Sequence, residues 1–76
     1  MAKRPPITNR VKELREAHDN MSQSALAKAI GVTRQTVIAI EQGRYSPSLE
    51  SAFRIAREFG VGLEDVFGWD DAADQS

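Results

Sequence analysis

Four residues between positions 22 and 43 punctuate the chain so closely that they leave room for two short helices and a tight turn between them. Ser22 offers a side-chain oxygen to the free N–H groups of a helix that begins at about Gln23. Leu26, Ala27 and Ile30 then recur at the spacing of one helical face. Gly31 ends that helix, because glycine takes a left-handed turn without a side-chain penalty. Val32 dips back toward the core, and Thr33 stands where it caps a second helix whose inward residues are Val37 and Ile40. Gly43 terminates that helix beyond Gln42. Ala27 is small where the two helices cross most closely, and the β-branched Val37 closes the seam between them.

Two helices around a turn of three to four residues form the helix-turn-helix unit, whose second helix enters the major groove of DNA. The stretch SQSALAKAIGVTRQTVIAIEQG, with the IEQGRYSPSL run that overlaps and follows it, resembles the helix-turn-helix family of phage repressors, Cro proteins and xenobiotic-response-element regulators. The resemblance extends from about Asn9 to Phe67. It implies an all-α, five-helix, lambda-repressor-like DNA-binding domain in a small transcriptional regulator, a repressor or autorepressor.

The flanking segments are read as three more helices and no strand. Helix one is expected after Thr8 or Asn9, either of which can cap, and runs to about His18 with Val11, Leu14 and Ala17 inward. Asp19-Asn20 ends it, Asn20 taking the left-handed position that related sequences usually give to glycine. Ser48 caps helix four after the turn at Pro47. Its inward residues are read as Leu49, Ala52, Phe53, Ala56 and Phe59. A short fifth helix, Leu63 to Phe67, is expected to turn Leu63, Val66 and Phe67 inward. The expected organisation is a flexible basic arm over residues 1–6, one domain over 7–69 and an acidic disordered tail over 70–76.

Composition matters here mainly for what it excludes. A chain of 76 residues has room for a single small core. No apolar run approaches the length of a membrane span and no signal-peptide pattern opens the chain, so a cytoplasmic protein is expected. There is no cysteine, the single histidine (His18) has no carboxylate cluster beside it, and the helix-capping serines already have structural work. No catalytic residue, metal ligand, cofactor or small-molecule site is assigned. Asp70, Asp71 and Asp74 are read as tail residues rather than as a cation site. The net charge of −1 conceals a division: residues 1–48 hold eight Lys/Arg against four Asp/Glu, and residues 49–76 hold two against seven. The half that contains the helix pair is therefore the basic one, as a nucleic-acid partner requires.

The exposed start of helix three supplies the reading chemistry. Arg34 presents a planar fork that suits guanine O6 and N7, and Gln35 can bond adenine N6 and N7, or phosphate. Ile38, one turn on, is expected to face outward and to meet a thymine methyl. Thr33, Thr36, Gln42 and Arg44 are placed for phosphate. The resemblance adds Gln23 as the glutamine with which the family grips the backbone at the start of helix two. It also implies that Arg15 and Glu41 form a partly buried ion pair, and that the chain acts as a homodimer on a palindromic operator. Phe67 and Trp69, aromatics that a finished monomer gains little by adding, are assigned to the dimer interface, on a surface away from helix three. Three other readings stay open: a DNA-binding antitoxin, a restriction-modification controller, and a helix-turn-helix fold used as a protein-interaction module.

Overall fold

A computed structural model describes residues 5–71. In chain order the elements are β1 (Ile7–Asn9), α1 (Val11–Ala17), α2 (Gln23–Ile30), α3 (Arg34–Glu41), α4 (Leu49–Phe59), α5 (Leu63–Val66) and β2 (Phe67–Trp69). Helices α2, α3 and α4 begin at the caps the sequence offers, whereas the N-cap of α1 is Arg10, with no side-chain cap bond, rather than Thr8 or Asn9, and that of α5 is Gly62. Ser22 Oγ accepts the Ala25 N–H at 3.0 Å, Thr33 Oγ1 the Thr36 N–H at 3.1 Å, and Ser48 Oγ the Ser51 N–H at 3.1 Å. Each bond satisfies one N–H of a first turn that has no partner within its helix. At the α2–α3 turn Gly31 has φ 78° and Val32 N–H returns to Ala27 O, which closes the helix end. At the end of α1 both Asp19 and Asn20 are left-handed, with φ 62° and 52°, so the junction spends two such residues where one was expected.

The expectation of no strand is overturned. β1 and β2 pair antiparallel in the register Ile7↔Trp69, Thr8↔Gly68 and Asn9↔Phe67, and Asp70 N–H donates to Pro6 O beyond them. The fold is thus five helices closed by a two-stranded ribbon that ties the two ends of the domain together. A Cβ at Gly68 would stand 2.8 Å from Thr8 Oγ1, so any larger residue there forces the Thr8 side chain to move. The ribbon also anchors α1: Arg10 N–H donates to Val66 O, and Asn9 Oδ1 accepts the Val11 N–H while Asn9 Nδ2 donates to Ile40 O at 2.8 Å. Lys3, Arg4 and Asp74, the arm and tail charges, lie outside the described residues.

One core joins all the helices. Leu26, Ile40, Ile55, Val11, Val37 and Val66 are its largest fully buried side chains, each contributing roughly 1.5–3 kcal/mol by removal from water. In α4 the inward stripe differs from the expected one. Ala52, Ile55 and Ala56 are buried with Phe59 packed against them, whereas Leu49 is 68% and Phe53 50% exposed. Two stripes of the same i, i+3, i+4, i+7 spacing overlap in this helix, 49-52-53-56 and 52-55-56-59. The second carries Ile55, which the first omits, and it is the one that faces the core. Ala17, expected to be inward, is also exposed. Among the described residues no helix is long and apolar enough to cross a membrane.

Candidate nucleic-acid interface

Helix α3 is held from behind by an ion pair. Arg15 on α1, only 9% exposed, donates from Nε to Glu41 Oε2 at 2.6 Å and from Nη2 to Glu41 Oε1 at 3.0 Å, both bonds lying along the guanidinium fork. Its remaining nitrogen, Nη1, donates to Met21 O at 2.8 Å. These contacts join α1, the loop before α2, and the last residue of α3, and so set the angle at which α3 leaves the domain. The hydrogen bonds to Glu41 push the pKa of the guanidinium upward, with burial opposing them, so Arg15 stays charged at any pH a cell presents.

Gln23 belongs to the same network. It is half-buried, and Nε2 donates to Glu41 Oε1 at 3.0 Å. Its amide is therefore committed on one side, which the sequence assignment to phosphate alone did not include. Lys12 lines the cleft between Arg15, Gln23, Ile38 and Gln42, one turn before Arg15 on α1. That i, i+3 spacing puts Lys12 on the same side of α1 as the ion pair.

On the outward side, Arg34 and Gln35 are exposed at the start of α3. Among the described residues, the side chains of Arg34, Gln35, Gln42, Arg44 and Lys12 make no intramolecular hydrogen bond or ion pair. Thr33 and Thr36 are less free. Thr33 Oγ1 accepts the Thr36 N–H and lies 3.0 Å from Thr36 Oγ1, so both hydroxyls take part in capping α3. When Thr36 donates in that pair, the Thr33 hydroxyl keeps its own proton for an outside acceptor. Ile38 is half-buried against the cleft rather than fully outward as expected. Gln42 and Arg44 are exposed at and beyond the far end of α3.

Phe67 and Trp69 lie on β2. Trp69 is 56% exposed, and Phe67 is half-buried in an apolar groove with Ile7, Pro47, Leu49 and Leu63. Their ribbon is not remote from α3, because Asn9 of β1 bonds the carbonyl of Ile40. It sits at the C-terminal end of α3, roughly 8–9 Å along the helix from Arg34 and Gln35. Among the described residues no cluster of His, Asp or Glu has the arrangement of a metal site.

Comparison with known proteins agrees with this geometry. A helix-turn-helix family model matches residues 11–66. An uncharacterised helix-turn-helix transcriptional regulator of Methanocaldococcus jannaschii is 54% identical over 65 residues, covering 86% of this chain and 97% of its own. The transcriptional repressor RstR of a cryptic phage in Vibrio cholerae is 32% identical over 60 residues, covering 79% of this chain and 53% of its own. The crystal structure of a candidate DNA-binding protein from Bacteroides fragilis superposes with a TM-score of 0.71 at 21% identity, over 82% of this chain and 98% of that one, a likeness of fold. The chain belongs to the helix-turn-helix family of transcriptional regulators.

Proposed function

We propose that the chain recognises a specific sequence in double-stranded DNA through the N-terminal edge of α3 and acts there as a repressor or autorepressor. The observation that carries this reading is the pair Arg34 and Gln35, exposed and without a partner among the described residues, on a helix whose far end is locked by Arg15 and Glu41. A guanidinium fork and a carboxamide, adjacent and uncommitted, are the side chains that bond guanine and adenine edges in two places at once. Ile38 adds an apolar contact beside them. Thr33, Thr36, Gln42 and Arg44 bracket the helix and take backbone phosphates, with Gln23 on the neighbouring strand position. The protein-interaction alternative leaves Arg34 and Gln35 without a purpose.

One reading helix spans few base pairs, so two copies acting together are needed for a site that is rare in a genome. We infer a homodimer on a palindromic operator, with Trp69 and Phe67 as the aromatic anchors between copies. Their position at the C-terminal end of α3 supports this, since two copies joined there hold their reading edges apart on one face of the duplex. The test is a band shift of the full chain on a random duplex pool across a salt series. Binding that weakens steeply with salt is expected. No retarded complex at low salt overturns the reading.

A further inference from the structure

The two strands of the ribbon differ in what lies beyond them. Hydrogen bonds in an antiparallel pair alternate: every second opposed pair exchanges bonds across the ladder, and the pairs between point theirs outward. At the ends of the ribbon Arg10 N–H donates to Val66 O at 2.8 Å, and Asp70 N–H to Pro6 O at 2.6 Å. The register Ile7↔Trp69, Thr8↔Gly68 and Asn9↔Phe67 then makes Thr8 and Gly68 the bonded pair between them. Ile7 with Trp69, and Asn9 with Phe67, are the outward pairs. Phe67 bears out the parity, because its N–H turns from the ladder to Leu63 O. The N–H and C=O of Trp69 therefore both face away from β1, and neither finds another partner among the described residues.

We propose that this edge of β2 pairs antiparallel with β2 of a second copy, Trp69 opposite Trp69 on the two-fold axis, to form a four-stranded sheet β1-β2-β2-β1. The inference rests on the homodimer reading above and names the contact that makes the dimer. A residue whose N–H and C=O point the same way is self-complementary about a two-fold axis, because each copy donates to the other's carbonyl. The outer edge of β1 is not available in the same way. The C-terminal end of α3 stands beside it, with Asn9 Nδ2 on Ile40 O and with Ile7, Thr8 and Asn9 sharing a cavity with Glu41, Gln42 and Gly43. Pro5 and Pro6 precede β1 and have no N–H to extend a ladder. Association through β2 therefore stops at two copies instead of growing into a fibre.

The side chains fit the same pairing. Opposed residues of an antiparallel pair share a face, and so do residues two apart on one strand. Ile7, Asn9, Phe67 and Trp69 thus share the face that meets the helices, since Asn9 bonds Ile40 O and Phe67 packs against the core. Thr8 and Gly68 are exposed on the other face. In the four-stranded sheet Trp69 of each copy lies beside its counterpart and diagonal to the other copy's Phe67, where the apolar groove with Ile7, Leu49 and Leu63 opens. Trp69, 56% exposed in one copy, gains its cover there. A tryptophan covers about 150–250 Å² on burial, so two of them and the surfaces they meet give an interface of roughly 1,000 Å², the lower end of what a specific dimer needs. Both helical bodies fall on one side of the sheet, with their α3 helices related by its two-fold axis, the symmetry that a palindromic operator presents.

Amide hydrogen exchange on the full, unaltered chain tests this, followed by NMR across a concentration series with sedimentation of the same samples. Exchange at Trp69 N–H is expected to slow about tenfold as the monomer fraction falls from about nine-tenths to about one-tenth. Phe67 N–H, already bonded to Leu63 O, is the comparison and is expected to stay unchanged. The chain holds no cysteine, so single cysteines report the register. Facing residues of a bonded antiparallel pair stand about 5.5 Å apart at Cα, within the reach of a disulfide. Under mild oxidation Trp69→Cys is expected to link into dimers, and Thr8→Cys, on the outer strand of each copy, is expected to stay unlinked. Dimers whose Trp69 amide exchanges at an unchanged rate overturn the sheet and leave the homodimer reading standing, as does linking of Thr8→Cys as fast as of Trp69→Cys. A monomer at every concentration overturns the homodimer reading, and the inference with it.

Discussion

Glu41→Ala is the substitution with the largest consequence that the structure assigns to a single side chain. It strips partners from Arg15 Nε and Nη2 and from one N–H of Gln23, while Arg15 stays 91% covered. Removing one member of a buried, hydrogen-bonded pair costs about 3–5 kcal/mol, because the other charge is left desolvated. The pair borders an open cleft and keeps 11% and 7% of its side-chain surface exposed, which places the cost at the lower end, about 3 kcal/mol. A domain of this length has a total stability of about 4–11 kcal/mol, so the loss is a large share of it. Melting should fall by roughly 12–24 °C. Urea denaturation followed by circular dichroism gives the free energy, and Trp69, the sole tryptophan, reports on the ribbon in the same samples. Glu50→Ala is the internal standard. It breaks an ion pair of similar 2.6 Å length to Arg54, but one whose side chains are 54% and 74% exposed, and should cost under about 0.5 kcal/mol. Replacing both buried partners, Arg15→Met with Glu41→Leu, should recover most of the loss, because no orphaned charge remains. Equal costs for Glu41→Ala and Glu50→Ala would refute the reasoning.

Asn9→Ala removes the bonds to Val11 N–H and Ile40 O together and is expected to cost about 2 kcal/mol by urea midpoint, at about 1 kcal/mol per bond. Gly68→Ala drives a methyl against Thr8 Oγ1 and should destabilise by about 1–2 kcal/mol. Adding Thr8→Ala should restore most of that, and a failure to restore it places the strain elsewhere. Trp69→Ala should shift sedimentation at micromolar concentration from dimer toward monomer, and unchanged dimers would move the interface off the ribbon.

What the sequence disclosed was what depends on near neighbours. Ser22, Thr33 and Ser48 act on the N–H three residues on, and Gly31 acts through its own φ, so the boundaries of α2, α3 and α4 could be read locally. The ribbon could not. Its strands are three residues each, too short to show a period of two, and they are separated by the whole of the domain. The rotation of α4 was ambiguous for a different reason. Apolar residues occupy two overlapping stripes, and only the packing of Ile55 into the core chooses between them. In the candidate interface, residue type alone singles out Arg34 and Gln35, which are exposed and have no partner among the described residues. Gln23 owes its setting to a network that spans α1, α2 and α3, which no local spacing discloses.

The account turns on whether the free edge formed by Arg34 and Gln35 reads DNA bases, and selection from a randomised duplex library followed by sequencing tests that most directly. The unaltered chain should enrich one defined motif with two-fold symmetry. Arg34→Ala and Gln35→Ala, both exposed and outside the core, should each lose preference at one or two positions in each half-site, worth roughly 1–3 kcal/mol per position, and keep the rest. Enrichment of the same motif by the Arg34→Ala and Gln35→Ala chains, with preference undiminished at every position, would contradict the assignment.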